Sequence, residues 1–273
     1  MSVHPTALID KTADIGKGNE IGPYVVIEGK VRIGNNNRIG PGTIVTGNTA
    51  IGNGNIIHGH VYIGNEPQDL SYNGDETNVV IGDRNTFREY SNVHRGTKKD
   101  SATVIGDDNY FMVSAHIAHN CRVGSHVIMV NNATLGGYCE VQDFAFISGY
   151  VLVHQFVRIG GYCIISIGTV VTQDIPPYMM ISGSPASVSG LNVIGLRRNG
   201  FNTERRAAIK RAFKLMYRSG YNLTHSVAEI KRLITENEVS VEAAVDLNRL
   251  IGFIESSTRG ILLRPIQTKH GGE

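Results

Sequence analysis

Tryptophan is absent from this 273-residue chain, charged residues make up only 18% of it, and there are three cysteines. Each shortage excludes something. Low charge beside 41% hydrophobic residues excludes a disordered, self-repelling polymer. Three cysteines cannot all pair within one chain, which excludes a disulfide framework and suits a reducing compartment. No run of 18 apolar residues occurs, so no membrane span is expected. The opening stretch MSVHPTALIDKTADIG has no basic segment followed by an apolar one, so no secretory leader is expected and a cytoplasmic location is. The formal charge of +2 argues against bulk nucleic-acid binding. No P-loop, Gly-rich dinucleotide fingerprint or Ser-His-Asp order stands out.

Glycine, by contrast, is plentiful at 32 residues, and its excess has a cause. Every sixth residue from Val3 to Ile63 is aliphatic. The same register returns at Ile81, Phe87 and Val93, and runs unbroken from Ile105 to Val171, making 26 hexads with an apolar lead residue. Glycine often follows the lead, as in Ile33-Gly34 and Ile105-Gly106. Neither a helix nor a simple strand has this period; a parallel β-helix does. Three hexads make one triangular coil of 18 residues, with successive coils about 4.8 Å apart. Asn19, Asn37 and Asn55 lie 18 apart and predict an asparagine ladder along one corner. Two segments, Asn65 to Val79 and Gly96 to Val104, interrupt the rhythm and read as loops inserted into a continuing coil. Pro176-Pro177 reads as its end.

The period then changes. Helices are predicted over Thr203–Arg218, Ser226–Glu236 and Ser240 to about Ser256, with a frayed tail beyond Arg264. The expected architecture is a hexapeptide-repeat coil over residues 1–190 and a helical domain over residues 191–273.

Because the register from 105 to 171 has no insertion, columns of side chains can be read by adding 18. His119 lies under Gly137, and Gly137 under Gln155; Asn120 lies under Tyr138, and His154 neighbours Gln155. His116 and His119 flank the inward Ile117 and are expected to face outward or toward a corner. This patch pairs an imidazole with a glycine N–H, the combination that removes a proton and holds an oxyanion. A metal is the rival use for His116, His119 and His154, but zinc wants three or four close ligands and no metal site is expected. Cys121, Cys139 and Cys163 share the fifth place of their hexads and read as small space-filling residues.

Several motifs accompany the hexads: Pro67-Gln68-Asp69-Leu70, Ile81-Gly82-Asp83-Arg84-Asn85, His94-Arg95-Gly96-Thr97, the AHIAH segment, Val153-His154-Gln155-Phe156, Gln173-Asp174-Ile175-Pro176-Pro177-Tyr178 and Gly195-Leu196-Arg197-Arg198. With them the chain resembles, over nearly its whole length, the acyl-carrier-protein:UDP-N-acetylglucosamine O-acyltransferases that begin lipid A synthesis. The resemblance implies a left-handed β-helix, a homotrimer with sites between subunits, and no bound cofactor. It implies transfer of a 3-hydroxyacyl group from the phosphopantetheine of acyl carrier protein to the sugar 3-position. It makes His119 the general base and Gly137 the oxyanion donor. Asp69, His116, His154 and Gln155 would line the sugar and pantetheine sites, Asn192 and Arg198 would contact the nucleotide, and Ile167 would floor the acyl groove. The bulk of Ile167, where long-chain members have Gly, predicts a medium acyl chain; the alternative use of Ile167 is plain coil filling.

Three positions depart from the family pattern. Asn120 stands where Asp is common, Tyr138 where His is frequent and Ser71 where Lys is frequent. An amide beside a catalytic imidazole risks the wrong tautomer. Asn120 and Tyr138 are neighbours in adjacent coils and are expected to compensate. The acceptor could then differ, a 3-amino nucleotide sugar being one candidate; a non-catalytic homologue is the remaining reading.

Charge is unevenly spread. Residues 1–190 hold 12 basic and 16 acidic side chains (net −4), and residues 191–273 hold 14 and 8 (net +6). Arg206, Lys210, Lys214 and Arg218 follow i, i+4 spacing and predict a basic helical stripe. Either it is a solvated face or it meets the acidic acyl carrier protein. RNA could use such a stripe, but no aromatic-interleaved motif accompanies it.

Overall fold

A computed structural model describes residues 1–263; the tail expected to fray lies outside the described residues. Among the described residues, 28 short strands and four helices follow one another in sequence. The strands form a left-handed parallel β-helix whose three faces are sheets of 11, 9 and 8 strands. Each hexad supplies one strand and one corner. Its lead residue points inward, so Ile27, Ile63, Ile117, Leu135 and Ile165 are almost fully buried. The residue before it points outward, as Arg32, Arg38 and Arg122 do. The fourth place of the hexad turns the corner through the left-handed backbone region, at Asn36, Asp108, Asn120, Tyr138 and Tyr150 among others. No β-branched side chain adopts that left-handed conformation among the described residues, as their crowding near the backbone requires.

The asparagine ladder exists and extends further than the 18-residue spacing shows. Asn37 donates to Asn19 Oδ1, Asn55 to Asn37, Asn85 to Asn55 and Asn109 to Asn85, all buried. Asn85 and Asn109 belong to the same column; the two insertions displace their numbers. The three cysteines are buried and unpaired, and burial pushes the Cys163 thiol up to about 12. They fill space.

Three boundaries differ from expectation. The loops are shorter than the breaks in rhythm, because strands Asn48–Ile51, Asn78–Ile81 and Ala102–Ile105 pair over four residues each and satisfy the backbone at the loop bases. The projecting loops are 66–77 and 95–101. The prolines do not end the coil: Ile175 bridges to Ile159, and Met179–Ser182 pairs with Ile164–Ile165 before an antiparallel return through Ser187–Leu191. Pro176 and Pro177 sit at a corner, where their missing N–H groups cost no ladder bond.

The helices are α1 (Val193–Arg198), α2 (Thr203–Tyr217), α3 (Leu223–Thr235) and α4 (Val241–Glu255). Helix α1 is too short to show a period and was not expected. Helix α3 starts a turn earlier than Ser226, because Asn222 caps it by accepting from His225 N–H at 2.8 Å. Ser226 is instead an interior, buried residue whose hydroxyl donates to the Leu215 carbonyl. Asp174 fastens the helices to the coil, accepting from the Arg158 N–H (2.8 Å) and the Ser257 hydroxyl (2.7 Å). Asp246, also buried, holds Arg205 with two bonds of 2.7 and 2.9 Å while that guanidinium stacks 3.7 Å over Phe201. Among the described residues, no helix is long and apolar enough to cross a membrane.

Candidate functional site

The corner between the 9-stranded and 8-stranded sheets carries both projecting loops and His119. Loop 66–77 leaves strand Tyr62–Asn65 and enters Asn78–Ile81; loop 95–101 joins Asn92–His94 to Ala102–Ile105. His119 occupies the same corner one coil further on, between strands His116–Ile117 and Arg122–Val123. The loops fold over it, so His119 is only 6% exposed. Its expected position at a corner is right, but it is covered rather than facing open solvent.

Arg95 fixes the longer loop. Its guanidinium donates to the Gly64 carbonyl at 2.9 Å, to Glu66 Oε1 at 3.1 Å and to the Tyr72 hydroxyl at 3.0 Å. The His94 ring bonds the Glu66 carbonyl beside it. The loop so held brings Asp69 Oδ2 to 3.8 Å from His119 Nε2. Ser71, in the place where Lys is frequent, donates both its N–H (2.9 Å) and its hydroxyl (2.8 Å) to Asp69 Oδ1. Those bonds, followed by the nearby His119, hold the Asp69 carboxyl below its usual range.

The other face of the imidazole meets glycine. A Cβ added at Gly137 would lie 2.5 Å from His119 Nε2, closer than real Cβ atoms come. Only a glycine lets the ring lie there, and the Gly137 N–H makes no hydrogen bond among the described residues. The Nδ1 atom of His119 lies 3.1 Å from Asn120 Oδ1. Thr97, whose role sequence reasoning missed, joins the two departures from the family pattern. Its N–H (3.0 Å) and hydroxyl (2.9 Å) both meet Asn120 Oδ1, and its hydroxyl lies 2.7 Å from the Tyr138 hydroxyl. Tyr138 also stands edge-on to His119 with ring centres 5.3 Å apart.

His116 bonds Asn92 Oδ1 and packs edge-on to His94, 5.3 Å away between centres. Burial, then the neighbouring His94 and His119 rings, push its imidazole down to about 4. Burial lowers His94 too. Both are therefore neutral near pH 7 and serve as hydrogen-bonding groups. Among the described residues, no three His, Cys or carboxylate side chains converge as a metal ligand set.

The remaining candidates are placed elsewhere. His154 and Gln155 are exposed at the same corner two coils beyond His119. There Arg259, another residue the sequence did not single out, reaches 2.9 Å from His154 Nδ1. Ile167 lies at the corner between the 11- and 9-stranded sheets and is 72% exposed, so it does not fill the coil. Asn192 and Arg198 line a cavity of about 730 Å³ on the outer face of the 11-stranded sheet with Phe144, Phe146 and Met180. Asn192 caps α1 by accepting from Gly195 N–H at 3.0 Å and donates to the Tyr162 carbonyl at 2.9 Å, so both ends of its amide are engaged. One chain thus assembles Asp69, His116, His119, Asn120, Gly137 and Tyr138, and holds Ile167 and the Asn192–Arg198 pair on other faces.

Known proteins share the fold of this chain and its sequence over nearly its whole length. Residues 174–262 match the second domain of UDP-N-acetylglucosamine O-acyltransferases, and residues 12–47, 30–65 and 102–137 match the bacterial transferase hexapeptide repeat. The chain is 42% identical over 264 residues to an acyl-[acyl-carrier-protein]–UDP-N-acetylglucosamine O-acyltransferase of Syntrophobacter fumaroxidans, covering 96% of this chain and 100% of that one. It is 43% identical to the protein so named in a Janthinobacterium strain, covering 95% and 98%. The crystal structure of a UDP-N-acetylglucosamine acyltransferase from Bacteroides fragilis superposes with a TM-score of 0.90 at 38% identity, over 95% of this chain and 99% of that one.

Proposed function

The chain belongs to the acyl-carrier-protein:UDP-N-acetylglucosamine O-acyltransferase family, and on that premise we propose that it moves a 3-hydroxyacyl group from acyl carrier protein to the 3-position of a UDP-N-acetylglucosamine-type sugar, with His119 as general base and the Gly137 N–H as oxyanion donor. The observation that carries the reading is the His119 ring seated on Gly137, with Nδ1 at 3.1 Å from Asn120 Oδ1. In the step proposed, Nε2 takes the proton of the acceptor hydroxyl as the oxygen attacks the thioester carbonyl. The Gly137 N–H meets the resulting oxyanion. The carbon–sulfur bond then breaks and the imidazolium returns its proton to the departing phosphopantetheine thiolate. Asn120 carries no charge to stabilise that imidazolium. Asp69, 3.8 Å from Nε2 and held ionised by Ser71, supplies one.

No bound cofactor enters the reaction; the phosphopantetheine arrives with the donor. The separation of His119, Ile167 and the Asn192–Arg198 cavity onto different faces of one coil supports a homotrimer in which neighbouring chains complete each site. The division at 190/191 then separates a coil that does the chemistry from helices that receive the donor. Of the basic residues between Arg197 and Arg218, Arg205 and Arg211 are taken by Asp246 and Glu238. Arg206, Lys210, Lys214 and Arg218 remain for an acidic partner. Arg206 and Lys210 also flank an apolar hollow of about 400 Å³ lined by Leu191, Val193, Leu196 and Phe213. A nucleotide-sugar acceptor, a carrier-protein donor and three buried, unpaired cysteines suit the cytoplasm.

The test is acyl transfer by the purified protein from 3-hydroxyacyl carrier proteins to UDP-N-acetylglucosamine, with His119→Ala beside it. The variant is expected to lose roughly 100- to 10,000-fold in kcat. An unchanged rate removes His119 from the mechanism. A second reading keeps the chemistry and changes the acceptor to a 3-amino sugar, because an amine asks less of a base supported by an amide than a hydroxyl does. Activity on the amine alone would establish it. Transfer to neither acceptor with any acyl chain would leave the non-catalytic homologue.

A further inference from the structure

We propose that Thr97 sets the position of the proton on His119, by fixing which way round the Asn120 amide sits. The catalytic meaning of this rests on the reading of His119 as general base; the proton position itself does not. An asparagine can offer a neighbouring imidazole either its oxygen or its NH2 group, and the two orientations have opposite results. With the oxygen toward Nδ1, that nitrogen carries the proton and Nε2 is bare, facing Gly137 and Asp69. With the NH2 toward Nδ1, the proton moves to Nε2, and the ring can abstract nothing on that side. The 3.1 Å contact between the two residues does not choose between these orientations.

Thr97 chooses. A peptide N–H can only donate, and that of Thr97 lies 3.0 Å from one atom of the Asn120 amide; that atom must be the oxygen. The Thr97 hydroxyl lies 2.9 Å from the same oxygen and donates to it as well. Its lone pair then accepts from the Tyr138 hydroxyl at 2.7 Å. Every proton in the chain is thereby directed: Tyr138 to Thr97, Thr97 to Asn120, and His119 Nδ1 to Asn120. Thr97 and His119 are only 5% and 6% exposed, so water is poorly placed to scramble the pattern. A carboxylate at position 120 would accept from Nδ1 with either oxygen and would need no orientation. Thr97 is thus a positioning residue on which the orientation of the amide depends.

The full-length protein carrying 15N-labelled histidine is examined by NMR at alkaline pH, the His119 signals being assigned by their loss in His119→Gln. The expected result is a proton on Nδ1 and a bare Nε2. A proton on Nε2 overturns the inference. Thr97→Val removes the hydroxyl and keeps the N–H that fixes the oxygen, so it is expected to retain the proton on Nδ1. Thr97→Ser keeps both donors and the single tautomer. Thr97→Pro removes both donors and is expected to show both tautomers and to lose about tenfold in kcat, with each KM within about twofold. In an Asn120→Asp background the cost of Thr97→Pro shrinks to less than about threefold. A Thr97→Pro protein with one tautomer and full kcat overturns the assignment to Thr97. Should Thr97→Pro not fold, the wild-type tautomer and Thr97→Val decide, and a proton on Nε2 in either overturns the role of the N–H. If the expected tautomer is present but no acceptor is acylated, the general-base reading fails and the positioning inference stands.

Discussion

The imidazole of His119 lies on the backbone of Gly137 so closely that a Cβ there would sit 2.5 Å from Nε2. Gly137→Ala therefore must move the ring by a substantial fraction of an ångström, which disturbs its contacts with Asp69 and Asn120. The coil should survive, because Gly137 turns its corner with an ordinary backbone angle. The expected outcome is a loss of about 100-fold in kcat/KM with a near-native circular dichroism spectrum. Unaltered kinetics would mean that the seat of His119 on this residue has no part in turnover.

Asn120→Asp places a full charge beside His119 Nδ1 at the 3.1 Å contact now made by an amide oxygen. It should raise the rate on a hydroxyl acceptor, where the imidazolium needs support, and change the rate on an amine acceptor less. Parallel assays with both acceptors measure the difference. A fall on the hydroxyl acceptor would show that the network around Thr97 is tuned to the amide.

Ile167 is exposed at a corner and free to meet another surface, and its removal should leave the coil intact. If it floors an acyl groove, Ile167→Gly lengthens the preferred acyl chain, each added methylene being worth about 0.8 kcal/mol of burial. Competition between carrier proteins loaded with chains of different length reads this directly. An unchanged preference would take Ile167 out of the groove.

The double reversal Arg206→Glu with Lys210→Glu should raise the KM for the acyl donor by about tenfold and weaken its dependence on salt. The KM for the sugar should stay the same. Equal donor kinetics in wild type and variant would make the stripe a solvated face.

His116 titrates at about 4 in the fold against 6.5 as a free side chain. Between those values the unfolded chain binds a proton that the folded chain refuses, so folding stability falls as pH drops from about 6.5 to about 4. His94, lowered by burial, acts in the same direction. The midpoint of thermal unfolding should fall across that window, and fall less in His116→Gln. Identical curves would assign the acid loss to other groups.

Much of this fold was legible in the numbering because the hexad repeats a physical requirement. One inward apolar side chain is needed every six residues, and most corners take a left-handed residue, whatever lies between. Column arithmetic put His119 under Gly137 and Asn120 under Tyr138, and the structure keeps both pairings. The same arithmetic stopped at the insertions, which hid Asn85 and Asn109 from the asparagine ladder. It was silent on a six-residue helix, which is too short to carry a period.

The sequence by itself determined the coil, its core, its cysteine filling and the residues that meet at one corner. These follow from local backbone preference and from burial repeated at fixed spacing. Only the tertiary structure decided that loops 66–77 and 95–101 close over His119, that Ser71 holds Asp69, and that Thr97 joins Asn120 to Tyr138. It also decided that Asp246 and Glu238 take up Arg205 and Arg211. The pairs Asn120–Thr97, Tyr138–Thr97 and Asp246–Arg205 lie 23 to 41 residues apart. No periodicity links them, because a hydrogen bond between loops depends on where the chain returns in space.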